Sequence, residues 1–534
     1  MSNNTLKGGD PFIWITGSAL AFSLLMVVGL ILLIVINGMG FFWPKKIERF
    51  SLSDGRAVMG QVWERENIPG HEGEFRIKVK QGNRDLYGSD FLWINESDIT
   101  KRETPENAAL VERLEWGDLI GEIKEVLDGD RKLALGGPEG LKLLSGEVDK
   151  AATLSSRIYS LERKDVGALN LSQERIRLKL RGLELNGVKE GPEVGDLMAE
   201  IDAIQQSYSK LMDEVAALRA KQTTHVIFVA ADGQEKDMPI SQIVRVTAPN
   251  SLGFFGKIGY YVSKFRDFIF DNPRESNTEG GVFPAIFGTV MLVMIMSVMV
   301  TPLGVLAAFY LREYARQGTF VSIVRIAVNN LAGVPSIVFG VFGVGFFIYF
   351  LGGSIDKMFF SEALPTPTFG TGGILWASMT LALLTMPVVI VATEEGLASI
   401  PKGIREASLA LGATKFETTW RVVLPAVAPS IMTGLILAMA RAAGEVAPLM
   451  ITGVVKLAPS LPIDGVWPFA HLERKFMHLG FHIYDVGFQS PNVDAARPMV
   501  YTTTLLLLVI VLLLNLGAIT ARNRLRKKFS TSAV

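Results

Sequence analysis

Apolar and polar residues separate along this chain on two length scales. Six runs reach the roughly 20 apolar residues that a helix needs to cross a bilayer core, at residues 12–36, 282–310, 331–351, 374–392, 426–454 and 499–521. The first, from Phe12 to Ile36, carries no charge. It is too long for the core of a signal peptide, and no A-x-A-like site precedes the flank Phe41, Phe42, Trp43, Lys45 and Lys46. It therefore reads as an uncleaved anchor. The other runs contain Pro302, Pro335, Pro387 and Pro429, which bundled membrane helices tolerate where neighbours satisfy the freed backbone groups.

Between the first two runs, from about residue 44 to 274, the pattern is that of a polar globular segment. Residues 75–80 (F-R-I-K-V-K) alternate and end at the turn Gln81-Gly82-Asn83, and residues 224–231 end at Asp232-Gly233. With 110–114 and 240–246 they predict a small β domain built from the two ends of the segment. Between those ends the period changes. Leu141, Leu144, Val148, Ala151, Leu154, Ile158 and Leu161 repeat at spacings of three and four, as do Val194, Leu197, Ile201, Ile204, Tyr208, Leu211, Val215 and Leu218. Gly187 and Gly191-Pro192 interrupt the two seams, which predicts an antiparallel coiled-coil hairpin over about 139–221. Its seams serve either as internal packing or as a docking surface outside the membrane.

Charge adds orientation. The chain balances 53 basic against 53 acidic residues, so bulk attraction to nucleic acid is not implied. Six spans place both termini on one side. The tail residues Arg522, Arg524, Arg526, Lys527 and Lys528 make that side cytoplasmic. Arg312, Arg316 and Arg325 fall on the same side, as does the loop 402–421. Lys45 and Lys46 oppose this assignment, but long segments translocate largely regardless of charge. The large polar segment is therefore expected outside.

The chain has no cysteine and five scattered histidines without metal-motif spacing. No G-x-x-x-x-G-K-[ST] cradle occurs; Gly256-Lys257 is followed by Ile258. Any ATP chemistry must come from another polypeptide. Inside the fifth run lie Arg441 and Glu445, spaced i and i+4 so that a helix would put them on one face. Ionisable residues at membrane depth are costly and mark functional positions. Arg441 suits a tetrahedral oxyanion through its forked donors, and the same pair could equally be a fixed brace.

Glu406-Ala407-Ser408, then Gly412, then Val422-Val423-Leu424-Pro425 resemble the EAA loop of ABC-importer permeases, E-A-A-x3-G-x9-I-x-L-P. Pro401 opens a short helix and Gly412 permits the sharp turn after it. The stretch 440–449, A-R-A-A-G-E-V-A-P-L, is similar to the R-x-A-G-E-T-A-P-L of PstA-type phosphate permeases. So are 331–340 (L-A-G-V-P-S-I-V-F-G), Gly280-Gly281 with Gly288-Thr289-Val290, and Tyr310-Leu311 with Glu313-Tyr314-Ala315. The resemblance covers about residues 280–525. One position departs from it: Val391 stands where shorter members carry Arg in P-x-V-x-R-T-T-E-E.

The resemblance implies an all-α polytopic membrane protein of six transmembrane helices with the ABC-importer permease fold, bearing an extracytoplasmic α+β insert. The expected division is an anchor (1–43), the insert (44–279), the permease domain (280–525) with its EAA loop (402–425), and a cytoplasmic tail (526–534). It also implies a multi-pass protein of the bacterial inner membrane, its insert in the periplasm. Such a subunit is not itself an enzyme and binds no cofactor, ATP and Mg residing on the partner. Its partners would be a second homologous permease, an ATPase dimer, an extracytoplasmic phosphate-binding protein and membrane lipid, without nucleic acid. Arg441 and Glu445 would line the substrate pathway. Glu406, Ala407, Gly412, Leu424 and Pro425 would form the coupling loop. A permease for sulfate or molybdate, or a membrane-anchored envelope sensor or scaffold, remains an alternative.

Overall fold

A computed structural model describes residues 10–71, 73–490 and 493–530. Residues 1–9 of the expected anchor and 531–534 of the expected tail lie outside the described residues, as does the side chain of Lys528. The chain divides into two compact units. One comprises the residues up to Phe41, Val282–Asp356 and those from Pro367 onward; the other comprises Phe42–Gly281 and Lys357–Thr366.

In the first unit six described helices are long and apolar enough to cross a membrane: Phe12–Gly40, Phe283–Tyr314, Ser336–Phe359, Ile374–Ser399, Lys415–Gly444 and Val493–Lys527. The helices Phe283–Phe309, Ile374–Ser399 and Leu424–Gly444 form the centre. Leu292, Met296, Val300, Leu381, Leu384, Val389, Ala438 and Ala442 interlock there and are all buried. The approach is close because small residues face it. A Cβ on Gly434 would stand only 2.7 Å from the Cβ of Ala392, and one on Gly304 2.8 Å from Val389 Cγ1. The first helix lies at the edge against Val493–Ser530, where Thr502 Oγ1 donates to the carbonyl of Gly38 at 3.1 Å.

The helices mostly extend past their apolar runs, the fourth to Ser399 and the sixth over Val493–Lys527, but two stop well short of them at one end, each because of a proline. The third begins at Ser336 rather than 331, since Pro335 is extended (ψ 135°) and separates it from the helix Thr319–Leu331. The residue before a proline is likewise driven out of the helical region. The fifth ends at Gly444 instead of continuing to 454. Continuing the helix would press the ring of Pro448 against the carbonyl four residues earlier, that of Gly444. A separate short helix, Ala447–Thr452, follows.

Among its described residues the second unit holds two large antiparallel sheets and a two-stranded ribbon, Pro273–Arg274 with Glu279–Gly280. The strands are β1 (Glu48–Leu52), β2 (Ala57–Asn67), β3 (Phe75–Lys80), β4 (Phe91–Asn95), β5 (Ile99–Glu103), β6 (Ala109–Arg113), β7 (Leu119–Asp128), β8 (Arg131–Leu135), β9 (Thr224–Val229), β10 (Glu235–Pro239) and β11 (Ile243–Thr247). The first sheet runs β4-β3-β2-β1-β5. The second runs β10-β9-β7-β6-β11 with β8 on β7, joining strands from both sides of the intervening helices. Phe50, Val58, Ile77, Val79 and Ile94 fill the first core. Val126, Val226, Phe228 and Met238 fill the second with Leu144 and Val148, which project from the helix Pro138–Ser160.

That helix continues through 161–165 into Val166–Leu185, and the chain returns along Pro192–Ala220. Ile158, Leu161 and Val215 close the seam between the two arms, with Leu154, Leu211 and Leu218 beside them. Two ion pairs, Arg219–Glu162 and Arg157–Glu214, cross it.

Candidate functional site

The loop 402–425 is built from short, separately capped pieces. Pro401 precedes the helix Lys402–Ala410, whose end is closed by Gly412 at φ +86°. The Gly412 amide donates to the carbonyl of Leu409, and that of Ala413 to Ser408. Only a residue free of a Cβ adopts this left-handed position without strain. Thr414 and Glu417 form a reciprocal capping box at the start of Lys415–Thr418. Ser408, which replaces the second alanine of the E-A-A pattern, bonds the Thr418 hydroxyl at 2.9 Å and ties the two short helices together.

Glu406, Ala407 and Gly412 are exposed on this loop. Leu424 and Pro425 lie at its other end, at the start of Leu424–Gly444. Leu424 packs with Phe309, Leu397, Ile400, Val423 and Val427, so the loop stands on the cores of three span-forming helices. The basic residues of the loop are not all in solvent. Arg405 is only 19% exposed; its Nη2 donates to Glu313 Oε1 at 2.8 Å and to the carbonyl of Leu397 at 2.9 Å. A second clamp joins Arg325 to Glu394 at 3.1 Å.

The exposed tip is more apolar than its charge pattern suggests. Leu411 is 90% exposed, and Leu409, Phe416 and Trp420 are exposed around it. The last two rings stack at 6.3 Å. Sequence reasoning stressed the loop's lysines and arginines and passed over these four. The available signal was large side chains recurring in a stretch too short to bury them.

Arg441 sits in the last turn of Leu424–Gly444, but Glu445 is already extended (φ −79°, ψ 132°). The two therefore do not share a continuous helical face, and what brings them together is the bend. Arg441 Nε stands 3.4 Å from Glu445 Oε1, and the side chains remain 35% and 21% exposed. Among the described residues this is the one polar partner recorded for Arg441. The guanidinium thus keeps donors outside the pair. Val391 is half-buried on Ile374–Ser399 and supplies no charge.

The segment between the fifth and sixth spans holds ionic contacts that the sequence reading left unassigned. Lys456 Nζ lies 3.2 Å from Asp485 Oδ2, whose side chain is 2% exposed. Asp464 receives Arg474 Nη1 at 2.5 Å and lies 3.1 Å from His471 Nε2. Elsewhere, where the third span ends, Asp356 on the helix Gly353–Phe359 accepts from the amides of Phe369 and Gly370 at 2.8 and 2.7 Å. Asp464 sits in irregular backbone and Asp356 and Asp485 on single short helical turns, so no period marks them.

Residues 300–530 match the family described as binding-protein-dependent transport system inner membrane component. The chain is 30% identical over 221 residues to the probable ABC transporter permease protein YqgI of Bacillus subtilis, covering 40% of this chain and 69% of that protein. To YqgH of the same organism, another probable ABC transporter permease protein, it is 32% identical over 195 residues, covering 36% and 59%. To the phosphate transport system permease protein PstA of Mycobacterium leprae it is 38% identical over 172 residues, covering 32% and 51%. Apart from YqgI, the chain spans only 51–59% of the length of these relatives.

Proposed function

The chain belongs to the family of binding-protein-dependent transport system inner membrane components, a multi-pass inner-membrane family, and we propose that it is the PstA-type permease subunit of an ATP-driven phosphate importer. The observation that carries the reading is the bend after Gly444. There Arg441 is loosely paired and part-exposed, within a stretch that resembles the R-x-A-G-E-T-A-P-L of PstA-type permeases, and relatives 37–38% identical to the chain over 172–185 residues are named as phosphate permeases. A guanidinium with donors to spare can exchange its carboxylate for a passing tetrahedral anion.

In this reading Arg441 and Glu445 line the pathway. Glu406, Ala407, Gly412, Leu424 and Pro425 carry the ATPase stroke into the spans. The apolar tip Leu409, Leu411, Phe416 and Trp420 is what an ATPase groove would bury. Because Leu424 packs on Phe309 and Leu397, a push on the loop moves the helix bearing Arg441 with its neighbours. The second permease, the ATPase pair and a phosphate-binding protein complete the assembly, with ATP and Mg held by the ATPase. The chain itself is then a transport subunit and not an enzyme. We place both termini in the cytoplasm and the unit 42–281, with its helical hairpin, in the periplasm, and divide the chain as anchor, insert, permease domain and tail.

Reconstitution of the four components in vesicles tests this. ATP-dependent uptake of labelled phosphate is expected, resistant to excess sulfate and molybdate. Gly412→Val, which forces a side chain into the left-handed position, is expected to uncouple uptake from ATP hydrolysis. Equal competition by sulfate would move the assignment to another oxyanion.

A further inference from the structure

The helix Phe254–Phe270 (FFGKIGYYVSKFRDFIF) is built inside out for a water-facing unit. Its outward positions are apolar: Phe255 is 86% exposed, Phe254 67%, Val262 59%, Ile258 39% and Phe265 38%. Residues 255, 258, 262 and 265 follow spacings of three and four, so they form one stripe along the helix. Tyr260, Lys264 and Asp267 point the other way, into the unit. Tyr260 Oη and Lys264 Nζ reach the Glu112 carboxylate at 3.2 and 2.7 Å, and Asp267 accepts from Arg245. Soluble proteins rarely leave so continuous an apolar stripe uncovered.

The chain's own connectivity says what covers it. The first membrane helix ends at Gly40. Phe42, two residues later, is buried against this helix, its ring 5.8 Å from Tyr261, 5.6 Å from Phe265 and 5.4 Å from Phe268. Trp43 packs on Tyr261 at 6.3 Å and stays 42% exposed. Two residues reach at most about 7 Å, so the helix is fastened at the point where the chain leaves the bilayer. Just beyond that contact, twelve residues separate the end of the helix at Phe270 from the next membrane helix, which starts at Phe283. A helix whose C-terminal half is tethered to two membrane exits, with aromatic residues outward, has the composition of an interfacial element. Arg266, 71% exposed at the stripe's edge, is placed to meet lipid phosphate.

We propose that Phe254–Phe270 lies in the headgroup region of the membrane on the insert's side, with Phe255, Ile258, Val262 and Phe265 dipping into lipid. It thereby fixes the base of the insert to the bilayer surface. This rests on the reading of the six apolar helices as membrane-crossing.

The chain lacks cysteine, so single spin labels can be placed without background. Phe255→Cys, Ile258→Cys, Val262→Cys and Phe265→Cys are made one at a time in the full chain, reconstituted in vesicles of mixed zwitterionic and anionic phospholipid. Leu25→Cys on the first helix is the lipid reference, and Gln234→Cys, on an exposed turn of the insert, is the water reference. The expected result is that all four stripe labels are relaxed several-fold more by oxygen than by an aqueous nickel chelate, as at Leu25, with the ratio inverted at Gln234. Nickel-accessible stripe labels would place the helix in water and overturn the proposal. Labels immobilised and shielded from both reagents would mean a protein covers it, which overturns it equally. A nickel-accessible Leu25 label would instead bring down the membrane-crossing reading beneath it.

Discussion

Two charge pairs in this molecule carry the same chemistry in opposite architectures. In the insert, Lys80 Nζ meets Asp118 Oδ2 at 2.6 Å, and both side chains are at most 15% exposed. Burial works against the charge of each. For Lys80 the Asp118 and Glu279 carboxylates prevail and hold the ammonium above its ordinary range; for Asp118 the Lys80 charge prevails and holds the carboxyl below its own. In the membrane unit, Arg441 and Glu445 stand 3.4 Å apart at a helix break and remain 35% and 21% exposed. A short, enclosed pair with neighbours on both sides is a brace. A long, open one with donors to spare can change partners. The difference lies in the enclosure, not in the residue types.

Lys80→Met tests the brace most severely. It leaves Asp118 buried with its closest cation gone, and removal of one partner of a buried pair costs about 3–5 kcal/mol. Thermal unfolding of the full chain in detergent should show that loss, and adding Asp118→Asn should recover more than half of it. A single mutant of unchanged stability would make the insert pair as dispensable as a surface contact. Arg441→Ala should spare stability and strike transport. Losing one charge-assisted hydrogen bond of roughly 1.5–3 kcal/mol lowers reconstituted phosphate uptake by about tenfold or more. The opposite pattern, lost stability with uptake intact, would turn this pair into a brace as well.

Gly288→Ala probes the membrane unit where no charge is involved. Its new Cβ meets the Met477 carbonyl, and overpacking of this kind costs about 1–3 kcal/mol, again read by unfolding in detergent. The smallest effect concerns pH. Burial and the Asp118 charge push the Glu279 carboxyl up to about 7, from 4.5 in an unfolded chain. Between these values the folded chain holds a proton that the unfolded chain has released. The stabilisation is therefore full below about 4.5 and lost as pH rises to 7. Glu279→Gln should flatten stability over that window, and an unaltered slope would remove Glu279 from the network.

The unequal legibility of the two units follows from the range of the forces that shape them. The spans announce themselves because about 20 consecutive apolar residues are a local property; their ends are less legible, most helices running past the apolar stretch and two being cut short where Pro335 and Pro448 act on neighbouring backbone. In the insert, Phe75–Lys80 alternates plainly and Thr224–Val229 is an apolar run closed by a turn, yet the sheets they enter were less visible. β7 pairs with β9 across nearly a hundred residues, and no local period records a partner that distant. The inverted helix Phe254–Phe270 was overlooked for a related reason. Its apolar content invites a buried reading, and only the contacts of Tyr260, Lys264 and Asp267 reveal which face turns inward.

The sequence by itself determined the number of membrane helices, the short polar loop with Gly412 at its turn and the presence of Arg441 and Glu445, because chain-local hydrophobicity and turn chemistry suffice for these. Which charges are enclosed depends instead on long-range packing. Arg405 proved clamped to Glu313, Lys80 locked to Asp118, and Arg441 left half open beyond a helix break. Enclosure depends on what distant segments bring to a residue's side, and in the insert those segments lie tens to hundreds of residues away.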